Sequence, residues 1–283
     1  MKLLRYGPAG AEKPGILDAE GNIRDLSGVI ADIGPQTISP EGLAKLAKID
    51  PATLPKVSGK PRIGPPVANV GAFMAIGLNY SDHAAEVGAK PPREPILFMR
   101  GTYCIVGPND DIIIPRGSKK TDWEVELGIV IGRNGKYISE ADALDYVAGY
   151  CTINDVSERT FQVEGTGQWV KGKACDTFGP IGPWLVTKDE VPDPQNLDLW
   201  LEVDGKRYQN GNTRTMIFGV ASLVSFLSKF FTLRAGDVIA TGTPPGVGMG
   251  IKPEPVFLKP GNVVRLGVQG LGEQQAKMIA DPA

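Results

Sequence analysis

From about residue 70 onward the apolar positions fall in short runs rich in Val and Ile, each bounded by Gly, Pro, Asn or Asp. Runs of this length and composition predict β-strands. They place strands at Phe73–Leu78, Pro95–Met99, Asp111–Pro115, Glu124–Ile131, Gly149–Asn154, Trp184–Val186, Leu197–Val203, Val238–Ala240 and Val263–Leu266. A further strand is expected at Met1–Tyr6, followed by turns at Gly7-Pro8 and Glu20-Gly21-Asn22. Helical spacing is scarce. Ser39 and Pro40 supply an N-cap and a first helical position for a short helix reaching Leu46. Ser139-Glu140-Ala141-Asp142 resembles a capping box opening a helix to about Val147. Met216, Ile217, Val220, Leu223, Val224 and Leu227 repeat as the apolar stripe of an amphipathic helix. No internal repeat or low-complexity tract interrupts the pattern. It predicts an α+β, β-rich chain, with a small N-terminal domain and linker over 1–68 and a main domain over 69–283. The linker is the Pro/Gly-rich stretch 55–66.

Composition narrows the function classes. The chain has 283 residues, with 30 basic side chains against 32 acidic and a net charge of −2. That balance argues against a nucleic-acid partner, which calls for a basic excess or stripe. The longest apolar run, Ile217–Leu227, is interrupted by Gly219, Ser222 and Ser225, so no membrane span is expected. Gly7 and Pro8 arrive too early for a signal-peptide core. Cys104, Cys151 and Cys175 are an odd set without a CxxC pair, which suits reduced thiols in the cytoplasm. The chain holds 36 glycines and 24 prolines, which implies many tight turns.

Four segments carry candidate chemistry. In Asp122-Trp123-Glu124-Val125-Glu126-Leu127, residues two apart on a strand share a face, so Glu124 and Glu126 point the same way. Two carboxylates about 7 Å apart on an apolar strand repel each other unless a cation sits between them. Cys151-Thr152-Ile153-Asn154-Asp155 is a second apolar run that ends in an acid. Three carboxylates make a hard-oxygen set suited to Mg²⁺ or Mn²⁺. The same spacing also suits an exposed strand edge with alternating acids. In Gly77-Leu78-Asn79-Tyr80-Ser81-Asp82-His83-Ala84-Ala85-Glu86, a short helix places His83 and Glu86 one turn apart. A carboxylate on one ring nitrogen leaves the other free to take a proton from water, and His83 is the one histidine in the chain. An ordinary surface pair has the same spacing. Lys171 and Lys173 flank Gly172, and either can be a buried cation near carboxylates or a solvated surface residue. Ala240-Thr241-Gly242-Thr243-Pro244-Pro245-Gly246-Val247-Gly248 can present backbone N–H groups to an anion but lacks the P-loop pattern.

In this order, GLNYSDHAAE, LFMRGTYCIVGPNDDIIIP, DWEVELGIVIG, NDVSERTFQ, KGKACDTFGPIGP and TGTPPGVGMG resemble the fumarylacetoacetate hydrolase family over about residues 70–270. The resemblance implies a mixed β-sheet roll, a small N-terminal domain and a homodimer. It implies Glu124, Glu126 and Asp155 as ligands of Mg²⁺ or Mn²⁺, and His83 with Glu86 as the pair that activates water. Lys173 is implied as the oxyanion-stabilising lysine rather than Lys171, because it is the fourth residue after Trp169. Thr243 is implied as a contact of the substrate carboxylate. Arg100-Gly101 stands where many members carry Lys-Pro, and Arg100 is placed among the substrate-facing residues. The whole chain looks most like the family's bacterial sugar-acid branch. That implies hydrolysis of a C–C bond in a 2,4-diketo acid, namely 2,4-diketo-3-deoxy-L-rhamnonate or the fuconate analogue, to pyruvate and lactate. Acylpyruvate hydrolase, oxaloacetate decarboxylase, isomerase and ureidoglycolate lyase are the other activities the resemblance allows. The competing class is a β-rich binding module without metal affinity.

Overall fold

All of the expected strands form, with ends shifted by a residue or two, and they assemble into two facing sheets. The computed structural model describes residues 1–86 and 88–282, so Ala283, the last residue of the expected main domain, lies outside it. The larger sheet runs Ile23–Asp25, Lys13–Leu17, Lys2–Tyr6, Leu185–Thr187, Val147–Asn154, Val125–Ile131, Val238–Ala240, Phe73–Gly77 and Ile96–Arg100. Ile63–Gly64 adds a short strand to Lys2–Tyr6. The smaller sheet runs Lys206–Asn212, Asp198–Val203, Val263–Val268, Gly272–Ala280 and Ile112–Ile114.

All seven residues of Val125–Ile131 are buried, because both faces of this strand are covered. Val125, Leu127, Ile129 and Ile131 join Leu199, Leu201, Val264 and Leu266 of the smaller sheet in one core. Val130 faces the other way, into a core with Phe73, Ala75, Cys151 and Ile153. Leu3, Ile16, Leu26, Ile33 and Ile38 belong to that second core. The N-terminal 68 residues therefore extend the main sheet and share its core instead of closing a core of their own. The Pro/Gly-rich stretch 55–66 is likewise packed. Arg62 donates to Gly7 O (3.2 Å), Glu12 (2.8 Å) and Asp110 (2.5 Å).

The helices differ from the sequence pattern at their ends. Pro40–Leu46 forms as expected, with the Ser39 hydroxyl accepting from Gly42 N at 3.0 Å. The capping box at Ser139 also forms, since Ser139 Oγ donates to Asp142 and accepts from its N–H. It opens only a 3₁₀ turn, Ala143–Tyr146, because Val147 is taken as the sheet neighbour of Ile131. The amphipathic helix spans Val220–Ser228, and Met216 and Ile217 lie outside it. Asn79 captures that approach: its amide oxygen accepts from Phe218 N (2.9 Å) and its carbonyl accepts from Ile217 N (2.7 Å). No helix among the described residues is long and apolar enough to cross a membrane.

Candidate active site

The candidate residues converge where several strand ends meet. Val238–Ala240 and Phe73–Gly77 are parallel, so the loops that follow them leave from the same edge of the sheet. Val125–Ile131 runs antiparallel to Val238–Ala240, so its start lies on that edge. Val147–Asn154 runs antiparallel to Val125–Ile131, with Val125 opposite Asn154, and ends on that edge. This topology brings together Glu124, Glu126, Asp155, Gly242, Thr243 and the His83 helix. They line a cavity of about 150 Å³ with Arg159, Gln162 and Lys173, and with an apolar wall that includes Leu78, Phe98, Val163, Trp169 and Met249.

Glu124, Glu126 and Asp155 each offer an oxygen within 4.8 Å of the others', and all three side chains are buried. This decides between the two readings of the ExE spacing: the acids are interior, not a solvated edge. Cations surround two of them. Glu124 accepts from Arg159 Nη2 and from Lys173 Nζ, both at 2.7 Å. Asp155 pairs with Arg100 and, at 3.0 Å, with Lys173. Burial pushes the Glu124 carboxyl up, but Lys173 and Arg159 outweigh it and bring it down to about 2. Among the described residues Glu126 forms no ion pair, although the Lys173 charge is felt there, and its only hydrogen bond is Gly242 N to Oε2 at 2.8 Å. Burial, followed by the charges of Asp155 and Glu124, holds its carboxyl well above the usual range. With Asp122, four buried carboxylates face three buried cations, Arg100, Arg159 and Lys173, and the unmatched charge falls on Glu126. A small divalent cation against Glu126 would supply the positive partner that this carboxylate lacks when ionised, and hard oxygens are the ligands Mg²⁺ and Mn²⁺ prefer. The residues fit the group.

His83 and Glu86 form the pair the sequence suggested. His83 Nδ1 lies 2.8 Å from Glu86 Oε2, and Glu86 Oε1 accepts from Gly246 N at 2.8 Å. With Nδ1–H donated to the carboxylate, Nε2 is the basic nitrogen, and the ring lines the cavity. The helix that carries it is fixed by the preceding turn. Leu78 adopts a left-handed backbone (φ 52°), and the Asn79 amide donates to Thr241 O (2.8 Å) and Phe218 O (3.0 Å).

The structure separates the two lysines. Lys173 is buried between Glu124 and Asp155, whereas Lys171 is exposed and donates to Thr166. Thr243 lines the cavity, with its hydroxyl donating to Val125 O (2.9 Å) and accepting from Gln209 (2.7 Å). Arg100 is not on the cavity wall, which corrects its assignment as a substrate contact. Its buried guanidinium is spent on Asp155 and on Phe178 O (2.8 Å) behind the acid. Arg159 and Gln162 line the cavity and were not singled out as site residues from the sequence. The available signal was charge: buried acids at 122, 124, 126 and 155 need more cations than Lys173 alone supplies. The glycine loop does meet anions, and they are the chain's own carboxylates. Gly242 N reaches Glu126, Gly246 N reaches Glu86 and Gly248 N reaches Asp122 at 2.6 Å.

The fumarylacetoacetate hydrolase C-terminal family model matches residues 72–279, most of the chain. The chain belongs to the fumarylacetoacetate hydrolase family. A Burkholderia lata relative is 69% identical over 274 residues, 97% of each chain, and its name offers a provisional hydrolase without a substrate. A fumarylacetoacetate hydrolase from Exiguobacterium antarcticum superposes with a TM-score of 0.89 at 34% identity, covering 99% of this chain and 100% of that one. Maleylpyruvate hydrolase from Sphingobium sp. SYK-6, solved with manganese(II) and pyruvate, superposes with a TM-score of 0.82 at 27% identity, covering 99% of both chains. Isomerases occur among the solved members of the family as well. Family membership and the acid triad make this chain an enzyme of the hydrolase or isomerase class with a site for a divalent metal.

Proposed function

We propose that this enzyme hydrolyses the C3–C4 bond of a 2,4-diketo acid, releasing pyruvate. The observation that carries the reading is a water-activating pair, His83–Glu86, facing the same cavity as the triad Glu124, Glu126 and Asp155. A decarboxylase or isomerase on this platform has no need of a base for attacking water. A divalent cation, Mg²⁺ or Mn²⁺, held by the triad supplies Lewis-acid stabilisation of negative charge on substrate oxygens. His83 Nε2 takes a proton from water as that water adds to C4, and Glu86 stabilises the imidazolium that forms. Lys173 Nζ, anchored by two carboxylates, stabilises the oxyanion at C4. Cleavage of C3–C4 leaves the electron pair on the pyruvate fragment, which takes a proton at C3.

The substrate that best suits the cavity is 2,4-diketo-3-deoxy-L-rhamnonate or its L-fuconate analogue, cleaved to pyruvate and lactate in sugar-acid catabolism such as that of L-rhamnose. Its tail beyond C4 is one hydroxyl-bearing carbon and a methyl, short enough for a cavity of about 150 Å³ whose lining includes Val163, Trp169 and Met249. The reading includes a cytoplasmic homodimer with Thr243 near the substrate carboxylate and no nucleic-acid or membrane partner. The test is a panel of 2,4-diketo acids offered to the chelated, then Mg²⁺- or Mn²⁺-restored enzyme, with pyruvate measured by a coupled assay. Restored activity with the lactoyl-bearing acid as best substrate supports the proposal. Full activity after exhaustive chelation, or no pyruvate from any member, overturns it.

A further inference from the structure

Asp122 is fully buried and has no part in the proposed reaction scheme, yet all four of its acceptor positions are filled. Oδ1 accepts from Trp123 N (2.8 Å) and Gly248 N (2.6 Å). Oδ2 accepts from Met249 N (3.0 Å) and Arg159 Nε (2.8 Å). Two of these donors belong to the glycine loop, and the fourth belongs to the guanidinium that also grips Glu124. The same loop reaches Glu126 through Gly242 N and Glu86 through Gly246 N. Trp123 closes the circuit, with Nε1 donating to Gly246 O at 3.0 Å.

We infer that Asp122 is a positioning residue that locks loop 242–250 and the metal-ligand carboxylate Glu124 into one rigid unit. The inference rests on the metal-dependent reading above and extends it to a residue outside the cavity lining. The close approach is built in. A Cβ at Gly248 would come within 2.6 Å of Asp122 Oδ1 and 2.0 Å of Val256 O, so only glycine brings this N–H onto the acid. Arg159 is the link because its planar fork holds Asp122 through Nε and Glu124 through Nη2, two donors at a fixed angle to each other. Through that link the position of the loop fixes the orientation of Glu124. Through Gly246 the loop also supports Glu86, and hence the tautomer of His83.

Asp122→Asn preserves size but removes the charge and turns two acceptor positions into donors. The amide then faces N–H groups of Arg159, Met249 or Gly248 with nothing to give them. The experiment is calorimetric titration of Mn²⁺ into the full-length metal-free protein, wild type and variant, with circular dichroism to establish that each is folded. The expected result is a folded Asp122→Asn protein whose Mn²⁺ dissociation constant rises roughly 10–100-fold, the usual effect of losing an outer support of a metal ligand. Arg159→Lys keeps the charge and all three backbone donors to Asp122, and should weaken Mn²⁺ by a similar factor. A mere structural brace would lower the melting temperature and leave metal affinity unchanged. A folded Asp122→Asn protein that binds Mn²⁺ within twofold of wild type overturns the inference while leaving the proposed function standing. If Asp122→Asn does not fold, unchanged affinity in Arg159→Lys overturns it instead. A wild-type protein that takes up no Mn²⁺ overturns both.

Discussion

Metal binding should expel a proton, and that proton should come from Glu126. Burial and the charges of Asp155 and Glu124 hold this carboxyl well above its ordinary value of 4.5, so the metal-free protein keeps it protonated over a window extending upward from there. A ligand carboxylate must be ionised, so the ion displaces the proton. Within the window, apparent Mn²⁺ affinity should rise about tenfold per pH unit, or about 1.4 kcal/mol, and level off above the folded-state pKa. Stability of the metal-free protein should move the opposite way. The unfolded chain ionises Glu126 near 4.5 and the folded one does not, so this group's contribution is complete below 4.5 and is lost as pH rises through the folded-state value. Glu124, lowered to about 2, acts with the reverse sign: its contribution is present above 4.5 and is lost as pH falls through about 2. The assay is calorimetric titration of Mn²⁺ at a series of pH values from 4.5 upward in buffers of different ionisation enthalpy, where the slope of observed heat counts protons released. Wild type should release a proton inside the window and none above it. Glu126→Gln should release none and lose the pH dependence, while His83→Ala, which leaves the triad intact, should release as many as wild type. A wild-type slope near zero at every pH would refute the assignment of the unmatched charge to Glu126.

Three further outcomes follow from the geometry. His83→Ala should cost roughly 10²–10⁴-fold in kcat with Mn²⁺ affinity retained, and Glu86→Gln should cost less, since it disturbs the imidazole without removing it; steady-state kinetics beside metal titration checks both. Lys173→Met should lower kcat more than it raises KM, because the charge it faces peaks in the transition state; a change in KM alone would mean that it only holds substrate. Gly246→Ala should destabilise the protein by about 1 kcal/mol or more, read by thermal unfolding, because φ is +104° and the added Cβ would meet Tyr208 O at 2.0 Å.

The strands that the sequence revealed are those whose apolar residues are contiguous. Val125–Ile131 and Val147–Asn154 read clearly because both of their faces are buried. Gly272–Ala280 was missed although it is nine residues long. It alternates buried with exposed positions, and one buried position is Gln274, whose amide donates to Thr152 O at 2.8 Å. Lys206–Asn212 was missed because Gln209 and Asn212 are its buried residues. Gln209 is there to receive Val125 N and to brace Thr243, a task that hydrophobic patterning does not register. The way residues 1–68 join the main sheet was hidden for a related reason. Pro and Gly in 55–66 signal turns, but only the pairing of Lys2–Tyr6 with Leu185–Thr187 shows that the turns fold back onto the same sheet.

The site divides along the same line between local and long-range information. Pairs set by local geometry were legible: Glu124 with Glu126 two apart on a strand, and His83 with Glu86 three apart on a helix. What spacing cannot give is which cation meets which acid, because that depends on curvature. Four strand spacings separate Val147–Asn154 from Ile96–Arg100, which in a flat sheet is about 19 Å at roughly 4.8 Å each. Yet Arg100 pairs directly with Asp155, so the sheet must curl until its edge strand lies against the end of a central one. That curl turns Arg100 from a cavity residue into a support behind one acid of the triad. It also brings Phe98 into the cavity wall, 5.4 Å from the Trp169 ring and 5.5 Å from Lys173 Nζ. With Arg100, Arg159 and Lys173 committed to Asp155, Glu124 and Asp122, Glu126 is the acid left without an ion pair among the described residues, and a divalent metal would supply its counter-charge.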